Sequence, residues 1–562
     1  MSKRKSREQG NDRDPKRNHS DDQVKPTENN ILNQLETAVE RTMNDKSAID
    51  NRHCDDRRFD FIQRLPYEIL PIILNEFSTR ERLKLLDVSH VWRSRLTSDI
   101  CSKVWSEIEI NEGYILLGNL KFIAHHVVDL SLVCVEKGDL IDQVLIQMAS
   151  KIFTKLQVFS IIGCAIECNA SIQFALLSVT DTLKALVIDD AELSSLFSPM
   201  PVKIFLSLCK NLEKFHYTHC RMYMIPEMMG FLYPGTRSNA LPLKDLTLSV
   251  GSIPESEVET ILRHCPGLRI LNLHGCSNQI LRSINHYCPK LEYLTIKGQS
   301  MRPLFYEVTP LPSRKFERDQ GGGRLRYLDI GISDVEDLVT ILTTYSVTLE
   351  ALLVQFSEDN PEGQDLNALK KLDRMPNIQF LSVLDANARD TETVVILLRK
   401  LSNRVTHIYF DCCYLYANEG AILEVVKENF NHLVDLRFYG IKSIHPIALT
   451  RLLAKFITTN TLKSFFCEQC DAIPTDAMMD MVALIPTLSH ITLDFSCVEK
   501  ELLTGQGFCR FCRNLRMYRR PLEWISLHCI PGCAEEGIKQ LRAIKSIKLM
   551  QVDGELVKVK EC

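Results

Sequence analysis

The stretch CPGLRILNLHGCSNQILRSINHYCPKLEYLTIKG, residues 265–298, decides how the chain folds. It holds two near copies of one phrase, Cys265-Pro266-Gly267-Leu268 and Cys288-Pro289-Lys290-Leu291. In each, further apolar residues follow three and five positions after the leucine, giving Leu268, Leu271, Leu273 and then Leu291, Leu294, Ile296. The last two of each set have the period-two spacing of a strand with one buried face, whereas NQILRSINHYC between them spaces its apolar residues three and four apart, as a helix does. A strand, a turn and a helix in about two dozen residues cannot cover their own apolar surface, so such units must stack on one another.

Working outward, the same apolar template recurs at Leu156-Phe159-Ile161, Leu183-Leu186-Ile188, Leu212-Phe215-Tyr217 and Leu243-Leu246-Leu248. After the quoted pair come Leu325-Leu328-Ile330, Leu349-Leu352-Val354, Ile378-Leu381-Val383, Val405-Ile408-Phe410, Leu433-Leu436-Phe438, Leu462-Phe465-Cys467 and Leu488-Ile491-Leu493. Weaker copies start at Val127, Leu522 and Ile544, for about sixteen in all, at intervals of 22 to 34 residues. Near position 515 the register is open, because Leu515 keeps the period better and Leu522 keeps the strand pattern better. A mean period near 28 is that of leucine-rich repeats with one strand and one helix per unit. The expected fold is therefore α/β, a solenoid with a curved parallel sheet inside and helices outside.

The 20 cysteines fit that frame. Cys164, Cys220, Cys276, Cys413 and Cys470 all stand ninth in their repeats, an inward slot. Cys209, Cys265, Cys288 and Cys512 each precede a leucine by three. They are read as reduced core fillers. The tail that opens MSKRKSREQG has no apolar stretch after its basic residues, so no signal peptide is expected, and no run of about 18 apolar residues suggests a membrane span. A net charge of −4 argues against general nucleic-acid binding, since no domain-wide positive field exists to neutralise phosphates. Cytoplasm or nucleus is the expected compartment. Residues 1–58 are polar, nearly without aromatics, and read as a disordered tail whose basic cluster could serve nuclear import.

Between tail and repeats lies FDFIQRLPYEILPIILNEFSTRERLKLLDVSHVWRSRL, from Phe59. Pro66 suits a helix's first turn. Ile69, Leu70, Ile73, Leu74 and Phe77 then make one apolar stripe, and Ser78 with Glu81 reads as a capping box for a second helix through Leu83 and Leu86. A third short helix would carry Val88, Val91 and Trp92. So much apolar surface in so few residues calls for a partner. The order Leu65-Pro66, Glu68-Ile69-Leu70, Ile73-Leu74, Leu83, Val88-Ser89 and Trp92-Arg93 closely resembles the F-box, over about 35 of 562 residues. Two positions depart from that pattern: Ser89 stands where a cysteine is frequent, and Pro71 lies inside the first helix, where an unrelieved proline costs roughly 3 kcal/mol. The cysteine phrases likewise resemble the repeat class that often follows an F-box. The resemblance implies that Leu65, Pro66, Glu68, Ile69, Leu70, Ile73, Leu74, Phe77, Leu83, Val88 and Trp92 dock on a Skp adaptor, itself joined to a cullin scaffold, and that the repeats hold a protein substrate for ubiquitin transfer. The domain division expected is tail 1–58, F-box 59–103 and solenoid 104–562.

No motif of an active site occurs. Gly321-Gly322-Gly323-Arg324 lacks the strand-loop-helix setting and the Lys-Ser/Thr of a phosphate loop, and His-Glu-x-x-His is absent. Cys509, Cys512, Cys529 and Cys533 approach four-cysteine zinc spacing, but Cys512 already has a place in a repeat, so neither metal nor cofactor is expected. Positions three, five and seven of each unit point off the sheet's free face. They are mild in early repeats and become aromatic or charged later, at Tyr293, Tyr327, Phe380, His407, Tyr409, Asp411, Arg437, Tyr439, Phe466 and Glu468, with Asp329, Asp435, His490 and Asp494 beside them. Exposed aromatics with arginine dominate binding energy at interfaces, so these are the candidate substrate residues. The insertion from Gly298 to Arg324 is a second candidate. A repeat scaffold or GTPase regulator without ubiquitin transfer is the other function class that the sequence leaves open.

Overall fold

The computed structural model describes residues 61–558 except 112–116, 136–137, 167–168, 190–191, 194–201, 219–239, 250–254, 276–279, 298–324, 333–334, 358–365, 416, 442, 472, 497–503, 518–521, 530–534, 545–546 and 553–554. The tail, Cys220, Cys276, Cys533 and the 298–324 insertion therefore lie outside the described residues. Two compact units are delimited, Met1–Leu65 and Pro66–Cys562. In the second, the helices of the F-box-like segment and the repeats fall together.

The repeats form an α/β leucine-rich-repeat solenoid. Among the described residues eighteen strands make one sheet, and every neighbouring pair is parallel except the last, where Glu555–Lys558 turns back antiparallel on Ile547–Val552. Parallel neighbours need a crossover, and helices such as Glu255–Arg263, Ile280–Tyr287 and Ala417–Asn429 provide it. Strands sit about 4.8 Å apart and packed helices 8–10 Å apart, so the sheet takes the inner curve. The template residues close the core: Leu268, Leu271 and Leu273 are fully buried, as are Val405, Ile408, Leu433 and Leu436. Phe410 stacks on Phe438 at 5.9 Å, and Phe438 meets Phe465 edge-on at 6.1 Å, which extends one aromatic spine through three repeats.

Three details correct the sequence register. An earlier copy exists, Trp105-Ile108-Ile110, whose strand Glu107–Ile110 pairs with Asp129–Val133; an indole in the first position hides it. Leu522 wins over Leu515, which lies on the helix Gly505–Met517 together with Cys512. In the last repeat Leu522 pairs with Ile547 and Ile525 with Met550, so the unit starts at Ile547 rather than Ile544, and Leu549 is left 38% exposed.

The turn after each strand explains the cysteines. Position eight has a left-handed backbone at Cys134, Gly163, Gly275, Asp385, Cys412, Gly440, Gln469 and Cys529. Several of these N–H groups bond the next strand's position-seven carbonyl, as Asp385 N–H does to Asp411 and Gly440 N–H to Glu468, both at 2.9 Å. At Gly440 a Cβ would also sit 2.9 Å from the Cys412 sulfur, so the turns stack closely. The twist points position nine inward, where the Cys413 thiol donates to the Val383 carbonyl at 3.2 Å and Cys164 to Leu132 at 3.4 Å. Each thiol thus satisfies a carbonyl of the preceding repeat. No described cysteine forms a disulfide, and burial pushes the thiols of Cys209, Cys265 and Cys288 up to about 12.

In the F-box-like segment the helices are Ile69–Asn75, Thr79–Leu85 and His90–Leu96. The capping box forms: Ser78 N–H donates to Glu81 Oε2 at 2.9 Å, and Glu81 N–H to Ser78 Oγ. Ser89 caps the third helix by accepting the Trp92 N–H, a role a serine fills well. Pro71 costs nothing here. It is the third residue of its helix, where no intrahelical N–H bond is due.

Cys413→Ala should lower stability by about 1–3 kcal/mol in urea denaturation, through a small cavity and an orphaned Val383 carbonyl. Reductant should leave the wild-type melting temperature unchanged, and a drop would mean disulfides.

Candidate functional site

The one-to-one register turns positions three, five and seven into rows across the sheet. Row three runs Ala351, Phe380, His407, Asp435, Ser464, His490. Row five runs Leu353, Ser382, Tyr409, Arg437, Phe466, Thr492. Row seven runs Gln355, Leu384, Asp411, Tyr439, Glu468. The candidate residues from Phe380 to Glu468 are therefore brought together. Tyr293 and Tyr327 are paired with each other further back, ring to ring at 5.8 Å.

Arg437 is the centre. Its guanidinium lies 4.5 Å from the Tyr409 ring centre on one side and 4.2 Å from that of Phe466 on the other. Asp435 holds it at 2.9 Å and also accepts the Tyr409 hydroxyl at 3.2 Å. Tyr409 in turn meets Phe380 edge-on at 4.8 Å. Four side chains on three strands thus fix one cation between two aromatic faces, an arrangement in which cation–π attraction and the ion pair reinforce each other.

The candidate residues are not equally available. Phe380 is 5% exposed and packs with Ala351 and Leu353 beneath Tyr327 and Tyr409, so it supports the surface rather than presenting itself. Asp411 is also buried, at 7%. His407, Tyr409, Arg437, Tyr439, Phe466 and Glu468 remain partly open. Burial raises the Tyr409 hydroxyl and the Glu468 carboxyl above their ordinary values. Burial also holds the His407 imidazole below its ordinary 6.5; Asp435 opposes that shift and Arg437 adds to it.

Four neighbours fall outside the candidate set. Lys297 and Asp329 form an ion pair of 3.1 Å whose side chains are 7% and 4% exposed, and the Gln355 amide donates to Asp385 at 2.9 Å. Asp329 stands at position five, one of the charges beside the chosen residues. Lys297 and Gln355 occupy position seven of their units, so the template is signal enough to find them. Asp385 stands at position eight, outside the three rows.

The proposed adaptor residues divide in two. Leu70, Leu74 and Leu83 are buried at 2% or less and hold the helices together. Ile69, Ile73 and Val88 are 39%, 36% and 57% exposed, joined by Tyr67 at 43% and Ile72 at 64%. Pro66 and Glu68 are exposed, while Leu65, Phe77 and Trp92 are half-buried.

Among the described residues no three His, Cys, Asp or Glu side chains are grouped to hold a metal ion. Cys509 and Cys512 share a helix, with the Cys512 sulfur against Gly537. No helix among the described residues is long and apolar enough to cross a membrane.

No protein-family model matches the chain, and no curated protein does. Among solved structures, the complex of Rad7 and Elc1 in yeast aligns over 86% of this chain and 97% of its own, at 14% identity and a TM-score of 0.35. The TLR13–ssRNA13 complex aligns over 78% of this chain and 54% of its own, at 12% identity and a TM-score of 0.39. Superpositions this loose carry no chemistry over to the present chain.

The His407 shift sets a pH dependence. Because the folded value lies below 6.5, the unfolded chain takes up a proton that the folded chain refuses as pH falls. Stability is therefore whole above about pH 6.5 and declines below it, down to the folded value. His407→Gln should flatten that decline, read as melting temperatures from about pH 7.5 to 5; parallel slopes in the two proteins would refute the assignment.

Proposed function

We propose that the chain is a non-catalytic substrate receptor of a Skp–cullin ubiquitin ligase, working in cytoplasm or nucleus. In this reading residues 59–103 are an F-box, residues 104–562 hold the target, and residues 1–58 are a tail. The observation that carries it is the helix Ile69–Asn75, which buries Leu70 and Leu74 yet leaves Ile69, Ile72 and Ile73 in solvent. A seven-residue helix with apolar residues on both sides supports docking against a second protein, since water alone leaves that outer face uncovered.

The second support is mechanical. Trp105 is fully buried, and its indole N–H donates to the Leu96 carbonyl at 2.7 Å. Arg82 donates to the Val104 carbonyl at 2.6 Å, Asn119 to Leu83 at 3.1 Å, and His126 bonds the Thr97 carbonyl at 2.8 Å. The helices are thus fastened to the first repeats. A receptor of this kind needs no reacting group of its own. It acts by raising the effective concentration of a target near a carrier held elsewhere in the complex.

Changing Ile69 and Ile73 to Asp should reduce copurification of a Skp adaptor at least tenfold, with little change in melting temperature, because both side chains already meet water. Leu74→Ala should instead lower stability by about 2–5 kcal/mol. Undiminished adaptor recovery from the double variant would favour a scaffold outside any ubiquitin ligase.

Tyr439→Ala with Phe466→Ala should remove target capture, at about 2 kcal/mol or more per anchor, and leave adaptor recovery intact. Parallel pull-downs scored for adaptor and for all other enriched proteins read both. Retained capture would move the target off rows five and seven.

A further inference from the structure

The sheet's free face is far more acidic than the chain that builds it. Positions three, five and seven of the described strands carry ten carboxylates and three lysine or arginine side chains, whereas the whole chain has a net charge of only −4. The three cations are already matched on that face. Lys214 lies 3.8 Å from Asp245, Lys297 3.1 Å from Asp329 and Arg437 2.9 Å from Asp435. An excess of negative charge remains on one side of the sheet.

Beside the Tyr409–Arg437–Phe466 group that excess reaches solvent. Along row seven Tyr439 pairs with Glu468. The next ladder runs to Cys467 opposite Leu493, so Glu468 and Asp494 follow side by side on strands about 4.8 Å apart. Tyr439, Phe466, Glu468 and Asp494 are all partly exposed, so a partner reaches them from water without any movement of the sheet.

The two carboxylates are held differently. Asp494 accepts the Ser496 N–H at 2.9 Å and the Ser496 hydroxyl at 3.0 Å, which fixes it in place. Glu468 is half-buried, yet its carboxylate has no hydrogen bond or ion pair among the described residues. Burial raises it above its ordinary value and the charge of Asp494 adds to the shift, while His528 and Arg437 oppose it. Like charges side by side on neighbouring strands are destabilising, and a charge drawn partly out of water without a partner costs more again. The fold gains nothing from either, and a cation set between the two would offset both.

Charge also decides among occupants. Nucleic acid would bring phosphates to a negative face, and a second copy docked face to face would bring like charge to like. A basic segment is drawn by the whole face, and its side chains have apolar stems that Phe466 and Tyr439 can cover.

We infer that Glu468 and Asp494 are the seat for a basic side chain of the captured protein, its charged end between the two carboxylates and its stem against Phe466 and Tyr439. This rests on the receptor reading above and gives it a substrate class: an extended segment rich in lysine or arginine.

The test uses the full chain and a fluorescein-labelled octapeptide, Gly-Lys-Gly-Arg repeated once, with a second peptide carrying glutamine at every basic position. Fluorescence anisotropy at low salt should show the basic peptide binding at least about tenfold more tightly than the glutamine peptide, and added salt should narrow the gap. Glu468→Gln should weaken the basic peptide by about tenfold while the melting temperature holds or rises, since an unpaired charge and its repulsion with Asp494 have gone. Asp494→Asn should weaken it as well, and Glu392→Gln, on an outer helix, should not. Failure of the wild-type chain to bind, indifference to Glu468→Gln, or an equal loss in Glu392→Gln would overturn the inference. So would a dimer in sedimentation velocity that Glu468→Gln dissolves, because a second copy would then fill the seat. Protein targets captured equally by wild type and the Glu468→Gln chain would leave the receptor reading standing and this one fallen. An unaltered adaptor yield from the Ile69 and Ile73 variant would remove the receptor reading without touching the anisotropy result.

Discussion

Everything in this fold depends on the parallel backbone ladder being locked residue for residue from one repeat to the next. Ile108 faces Leu130, Leu130 faces Phe159, Phe159 faces Leu186, and the sequence of partners continues to Ile525 and Met550 without a slip. A shift of one residue would turn every core side chain to water. Because no single unit can bury its own stripe, each holds its neighbour to that register. Loops of different length leave the strands unaffected, since their effect ends at the turn where the next strand begins.

That constraint is why so much of the fold is legible in the chain. Leucines at spacing three and two survive any change in the intervening residues, so a period near 28 stands out from the amino acids alone. The misreadings fall where the local chemistry is ambiguous. Trp105 fills a leucine's place but looks like a lone aromatic. Ile544, Ile547, Leu549 and Met550 offer two overlapping triples, and only pairing with Leu522 and Ile525 chooses between them. The final antiparallel strand, Glu555–Lys558, breaks the repeat pattern altogether.

The candidate surface is legible in outline and not in detail, for a physical reason. Residue type and position tell which side chains leave the sheet's free face, but not how they lean once there. Arg437 could have reached into solvent; instead it lies between Tyr409 and Phe466 with Asp435 behind it. Phe380 could have been an anchor and is a support. Such mutual packing fixes rotamers in advance, so less conformational entropy is left to lose when a partner arrives.

The bond from the Trp105 indole to the Leu96 carbonyl has a consequence for scale. With the helices fastened at one end of the sheet, each repeat adds a fixed step of about 4.8 Å, so the Arg437 strand stands roughly 58 Å along the sheet from Glu107–Ile110. The solenoid is then a ruler as well as a surface. Its repeat number sets how far, and toward which side, a held protein is presented from whatever grips the helices. Deleting one whole repeat between them, with every contacting residue retained, would move the load by one graduation and turn it by one increment of the curve.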